Sequence, residues 1–140
     1  DLTLPALARA IGEVADKVRA ALALVRLEHR LEEPVATLSY GERKQLDLAM
    51  ALAVEPRALF LDEVMAGLNP PALREMIGLV RTLSREGLAI LMVEHNLSVV
   101  ASLSDTITVL ARGKVLAEGD YKAVSKDPRV IEAYIGASDD

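Results

Sequence analysis

The spacing of apolar positions divides the chain into segments of different kinds. From Pro5 to Arg30, Leu7, Ile11, Val14, Val18, Ala21, Leu22 and Val25 recur at three- and four-residue steps. Set among Ala, Arg, Lys and Glu, that rhythm predicts a helix. Pro34 breaks it, and Thr37-Leu38-Ser39-Tyr40-Gly41 reads as a loop. A second helix is predicted from about Glu42 to Val54, with Leu46, Ala49, Met50 and Ala53 on one face. Glu55-Pro56 ends it, because a residue before proline is pushed out of the α region.

The pattern then changes in kind. Ala58-Leu59-Phe60-Leu61 is a short apolar run that stops at two acids, Asp62 and Glu63. Such a run fits a strand buried on both faces, as in parallel sheets. A loop with Gly67, Asn69 and Pro70 leads into a helix predicted from about Pro71 to Arg85, closed by Gly87. Leu88 to Val93 is a second strand, ending at Glu94-His95, and Asn96 or Leu97 opens a helix to about Leu103. Thr106 to Leu110 is a third strand, turned by Arg112-Gly113-Lys114 into Val115 to Glu118. Asp120 can cap a short helix, and Asp127-Pro128 begins the last, through Val130, Ile131, Tyr134 and Ile135 to Gly136. Helices alternating with apolar strands make the class α/β.

Composition narrows the function. At 140 residues the chain is expected to be one domain with a real core. Its 51% hydrophobic and 26% charged residues exclude disordered and fibrous classes. A net charge of −5 argues against binding a nucleic-acid backbone, so no nucleic-acid partner is expected. The absence of Cys excludes disulfides and thiol catalysis and fits a reducing compartment. No apolar run approaches the ~20 residues that span a bilayer. Asp1-Leu2-Thr3-Leu4-Pro5 has neither an initiator Met nor a basic segment. No signal peptide is therefore expected, and the chain reads as a piece of something longer.

Ligands in open α/β sheets gather at the carboxyl ends of strands. At the first such end, Asp62 could hold Mg²⁺ through water, and Glu63 could orient or deprotonate water attacking a γ-phosphate. The alternative is two solvated acids. Ser39-x-Gly41 precedes a helix, whose free N–H groups and partial positive charge suit an anion, with Ser39 adding a hydroxyl. The alternative is a Ser N-cap and a Gly turn without a ligand. His95, at the end of the second strand, could hydrogen-bond a phosphate in the same crevice, whereas His29 lies among Arg26, Glu28 and Arg30 and reads as a solvated surface residue.

In this order and spacing the motifs resemble the nucleotide-binding subunit of an ABC transporter. Leu38-Ser39-Tyr40-Gly41-Glu42 is similar to the family's signature loop, usually LSGGQ, with Tyr40 and Glu42 as departures. Ala58 to Glu63 resembles its Walker B strand and catalytic Glu, and Ala66-Gly67-Leu68-Asn69 its D-loop. His95 sits where its switch His does. Val64 stands where the family usually has Pro. The stretch Asp62 to Pro70, Val93-Glu94-His95-Asn96 and the tail Asp127 to Gly136 resemble the branched-chain amino-acid importer group.

The resemblance implies a partial P-loop NTPase-type parallel sheet with flanking helices. Residues 1–54 would be a remnant of the helical subdomain with the signature helix, and residues 55–140 the Walker B to C-terminal α/β part. ATP and Mg²⁺ are the implied cofactors. Leu38, Ser39, Tyr40, Gly41 and Glu42 would serve the ATP of a second ATP-binding subunit, with Asn69 in the D-loop. Asp62, Glu63 and His95 would serve ATP on the same subunit. Transmembrane permease subunits are implied partners, and a periplasmic binding protein an indirect one, at the cytoplasmic face of the membrane. No G-x-x-x-x-G-K-[ST] occurs in the chain, and the family places that P-loop roughly a hundred residues before the signature. The chain is thus expected to be the C-terminal half of the domain, inactive alone, with unpaired strand edges where the P-loop strand belongs. A non-transport ABC-type ATPase and a non-catalytic scaffold stay open as other functions.

Overall fold

The computed structural model describes residues 3–135. They fall into two compact units, Asp1–Val93 and Glu94–Asp140.

The first unit opens with α1 (Leu4–Leu24), where the Thr3 hydroxyl accepts the Ala6 N–H at 3.4 Å. The predicted helix to Arg30 stops short of it. Arg26 turns left-handed, at φ 61°, and the chain reverses. The Leu27 N–H donates to Leu22 O at 2.9 Å and the Arg26 N–H to Ala23 O at 3.0 Å. This pair of bonds is a Schellman closure, usually built on Gly. Burial of Leu27, 2% exposed, offsets the cost of a non-glycine residue there. Two single 3-10 turns follow, Glu28–Arg30 and Val35–Thr37.

Helix α2 (Tyr40–Leu52) buries Gln45, Leu48, Ala49 and Leu52. Strand β1 (Ala58–Asp62) then pairs parallel with β2 (Ala89–Val93), in register from Ala58 opposite Ala89 to Asp62 opposite Val93. Their connection is α3 (Pro70–Arg85), capped by Asn69, whose side-chain oxygen accepts the Ala72 N–H at 3.0 Å. Met76, Leu79, Val80 and Leu83 are the buried positions of α3, at the spacing of one helical face.

Burial on both faces of these strands was the sequence expectation, and the structure corrects it. Leu59 and Leu61 are buried, but Phe60 is 74% exposed, Leu91 60% and Val93 57%. Alternation puts these three on one face of the pair, because Phe60 stands opposite Leu91 and Asp62 opposite Val93. A parallel sheet needs a layer on each face, and this unit supplies one.

The second unit begins with α4 (Leu97–Leu103), whose cap Asn96 accepts from the Ser98 N–H at 3.0 Å. Strands β3 (Ile107–Ala111) and β4 (Lys114–Gly119) form an antiparallel hairpin. Arg112 and Gly113, at φ 50° and 74°, make its two-residue turn, the hand that matches strand twist. A bulge interrupts the register between Val109 and Leu110. Two short helices close the unit, α5 (Tyr121–Val124), capped by Asp120, and α6 (Pro128–Ile135). Gly136, the predicted end of the last helix, lies outside the described residues. Among those residues, β2 pairs with β1 alone and β3 with β4 alone.

Candidate functional site around the signature turn

The Ser39 turn is a complete capping box. The Glu42 N–H donates to Ser39 Oγ at 3.2 Å, and the Ser39 N–H donates to Glu42 Oε2 at 2.8 Å. A helix start leaves four N–H groups without intrahelical partners, and this box satisfies two of them. The Tyr40 and Gly41 N–H groups have no acceptor among the described residues. Ser39 Oγ accepts in the box, so its own proton remains to donate outward. Capping and anion binding, posed as alternatives by the sequence, are therefore compatible here. Two amides and a hydroxyl at a helix N-terminus suit an anionic oxygen.

The loop after β1 lies against this turn. The Tyr40 hydroxyl donates to Ala66 O at 3.3 Å. Gly67 has φ 74°, and a Cβ placed there would meet the Tyr40 ring at 3.5 Å. A Cβ on Gly41 would stand 3.1 Å from the Ala72 Cβ at the start of α3. Tyr40 thus ties the Ser39 turn to the Ala66-Gly67-Leu68-Asn69 segment. Leu38, just before the turn, is buried, and its carbonyl accepts from Arg43 Nε at 3.1 Å. The Asn69 side-chain oxygen is engaged in capping α3.

Asp62 is the exposed last residue of β1. The backbone turns immediately after it. Glu63 has φ 46°, its N–H donates to Val93 O at 3.0 Å and its carbonyl accepts the Ala66 N–H at 3.0 Å. Strand alternation therefore does not apply to this acidic pair. A non-glycine residue held left-handed carries strain of about 1–3 kcal/mol, which local bonding must hold in place. A single strand-end carboxylate such as Asp62 fits Mg²⁺, an ion that keeps several waters. His95 belongs to the second unit, where it is exposed immediately before the α4 cap. His29 is exposed as expected.

Sequence reasoning missed Arg30. Its Nε donates to Glu42 Oε1 at 2.8 Å, and its Nη1 to Glu33. Ser39-x-x-Glu42 spells a capping box and could have been read as one. Arg30 lies beyond any local spacing rule. The Arg30 guanidinium, with help from the Ser39 N–H, holds the Glu42 carboxyl down to about 2. Arg30 likewise lowers Glu33, and Arg129 holds Asp127 down to about 2.

Carboxyls lowered by folding stabilise the fold above their ordinary range, and lose that contribution as they are protonated. The melting temperature is therefore expected to hold above about pH 5 and to fall from there toward pH ~2. Glu42→Gln should flatten that fall. A pH series of thermal melts on both proteins checks this, and parallel acid limbs would refute it.

Known proteins resemble this chain over most of its length. A family model described as "ABC transporter" matches residues 3–66, and one described as "Branched-chain amino acid ATP-binding cassette transporter" matches residues 114–140. The probable branched-chain amino acid transport ATP-binding protein LivG of Archaeoglobus fulgidus is 35% identical over 127 residues, 91% of this chain and 49% of that protein. The high-affinity branched-chain amino acid transport ATP-binding protein BraF of Pseudomonas aeruginosa is 35% identical over 133 residues, 94% of this chain and 52% of that protein. Among solved structures, the ADP conformation of MJ1267, an ATP-binding cassette of an ABC transporter, superposes with a TM-score of 0.82 at 31% identity. That match covers 89% of this chain and 50% of the other. The chain spans about half the length of the curated relatives it matches. Its motifs, its fold and these relatives agree: the chain is similar to the ATP-binding cassettes of the ABC transporter family.

Proposed function

We propose that this chain supplies the signature, Walker B and C-terminal parts of an ATPase subunit that drives an ABC importer of branched-chain amino acids. The observation that carries the reading is the Ser39–Gly41 turn, where a capping box leaves two amides without an acceptor among the described residues and a hydroxyl proton still to donate. The match of residues 114–140 supports the transport class, as do relatives named for branched-chain amino acid transport.

In this reading Ser39, Tyr40 and Gly41 donate to the terminal phosphate of ATP held by a second ATP-binding subunit. Leu38 anchors the turn in the core, Glu42 closes the capping box, and Asn69 fixes the loop that lies against it. Glu63 orients the attacking water and takes its proton, as a general base must. Asp62 would hold Mg²⁺, which would supply charge neutralisation to the phosphates. His95 donates to the terminal phosphate on the same subunit. Residues 1–54 serve as helical subdomain and signature helix, and residues 55–140 as the Walker B to C-terminal part. The subunit works at the cytoplasmic membrane face, docked on permease subunits fed by a periplasmic binding protein. This chain alone has no phosphate-cradling loop, so it is expected not to turn ATP over.

The test is MgATP hydrolysis by the full-length protein, paired with uptake of labelled leucine by cells carrying or lacking the gene. Hydrolysis with gene-dependent leucine uptake is the expected result. Hydrolysis without any effect on uptake would favour a non-transport ATPase, and no hydrolysis would favour a scaffold.

A further inference from the structure

The capping box carries a cost for an anion site. Its closing residue is Glu42, so a carboxylate sits in the same turn as the Tyr40 and Gly41 N–H groups. One helical turn is about 5.4 Å. Over that distance, at an effective dielectric of about 40, a bare carboxylate weakens binding of a monoanionic oxygen about tenfold. Arg30 answers that charge. Its Nε bonds Glu42 Oε1 at 2.8 Å while Glu42 Oε2 takes the Ser39 N–H at 2.8 Å, so the carboxylate bridges the guanidinium and the turn. Both side chains are partly covered, Arg30 28% and Glu42 20% exposed, which limits screening by solvent. The other face of the fork is fixed by Glu33, itself bonded by the Thr37 hydroxyl at 3.3 Å. The two nearest signature-helix cations are otherwise engaged: Arg43 bonds Leu38 O, and Lys44 lies over the Tyr40 ring.

We propose that Arg30 is a positioning residue for the signature turn, neutralising and aiming the Glu42 carboxylate so that the helix start at Ser39–Gly41 can accept a polyphosphate oxygen. The proposal rests on the functional reading above and adds a residue outside all its motifs. Its physical content is conditional: Arg30 is needed because residue 42 is charged, and a Gln there needs no counter-ion. The lowered Glu42 carboxyl agrees with a pair that stays ionised at neutral pH.

The experiment is a double-mutant cycle on the full-length protein: wild type, Arg30→Gln, Glu42→Gln and both together, with kcat and KM for MgATP. Arg30→Gln is expected to lower kcat/KM about tenfold at low salt, and by less when placed on Glu42→Gln, where no carboxylate remains to be held in position. The tenfold loss should shrink in about 0.5 M salt. Equal losses in both backgrounds would overturn the proposal alone, whereas a wild type without turnover would overturn the functional reading and this role with it. If Arg30→Gln fails to fold, Arg30→Lys takes its place. It keeps the charge and loses the fork, so a loss of about threefold is expected that is again smaller on Glu42→Gln.

Discussion

Replacing Glu63 with Gln in the full-length protein is expected to cut MgATP hydrolysis about 100- to 1,000-fold while leaving nucleotide binding within a few-fold. The magnitude is that of losing a general base or a charge-stabilising group from a reaction built on positioning. Glu63 is held at φ 46° by bonds from its own N–H to Val93 and from Ala66 to its carbonyl. Both are backbone bonds, and Gln has the same shape and the same cost in that conformation. A thermal melt of the variant beside wild type tells loss of the carboxylate from a displaced loop. Steady-state hydrolysis measured beside equilibrium binding of a fluorescent ATP analogue separates turnover from binding. Turnover within threefold of wild type would remove Glu63 from the chemistry.

Gly41→Val should damage both stability and turnover. The new Cβ would begin 3.1 Å from the Ala72 Cβ and 4.0 Å from Leu68 Cδ2, before the branched methyls are added. Ala72 belongs to the first turn of α3, pinned by Pro70 and the Asn69 cap, so the signature turn must do the moving. Overpacking of this kind costs about 1–3 kcal/mol. The shift would also misplace the Tyr40 and Gly41 amides and stretch the bond from Tyr40 to Ala66. Misplacement of a positioning group by about 1 Å can cost on the order of 100-fold in rate, and a loss of that size is expected here. Thermal melts and MgATP turnover check the two halves. A variant that melts lower but hydrolyses normally would show that the Gly41 amide touches no phosphate.

The helices and strands were legible in the sequence because their caps and periods are local. Asn96, Asp120 and Asp127-Pro128 mark helix starts that the structure keeps, and Arg112-Gly113 makes the hairpin turn expected of it. The end of α1 was not legible. Closure at Arg26 depends on burying Leu27, and nothing in a run of Leu, Arg and Glu marks a left-handed residue. The bare face of the parallel pair was hidden for a related reason: Phe60 and Leu91 read as core, and only the layers present decide whether they are. At the site, the acidic strand end and the Ser39 turn could be found by position along the chain. The Arg30 fork and the Tyr40 tie could not, because they join residues 12 and 26 positions apart in sequence.

The contrast between the two sheets sets an order of events. The β3–β4 hairpin joins neighbouring strands through a two-residue turn, and closures of that kind take about 1–10 μs. Its flanking helices α5 and α6 follow directly along the chain. Parallel pairing of β1 with β2 has to wait for α3 to form and carry the chain back across the sheet. Loop-closure entropy is spent there before any contact returns it, so such pairing is slow. In refolding from denaturant the β3–β4 hairpin should therefore be the first to take shape, and the strand that ends in Asp62 among the last.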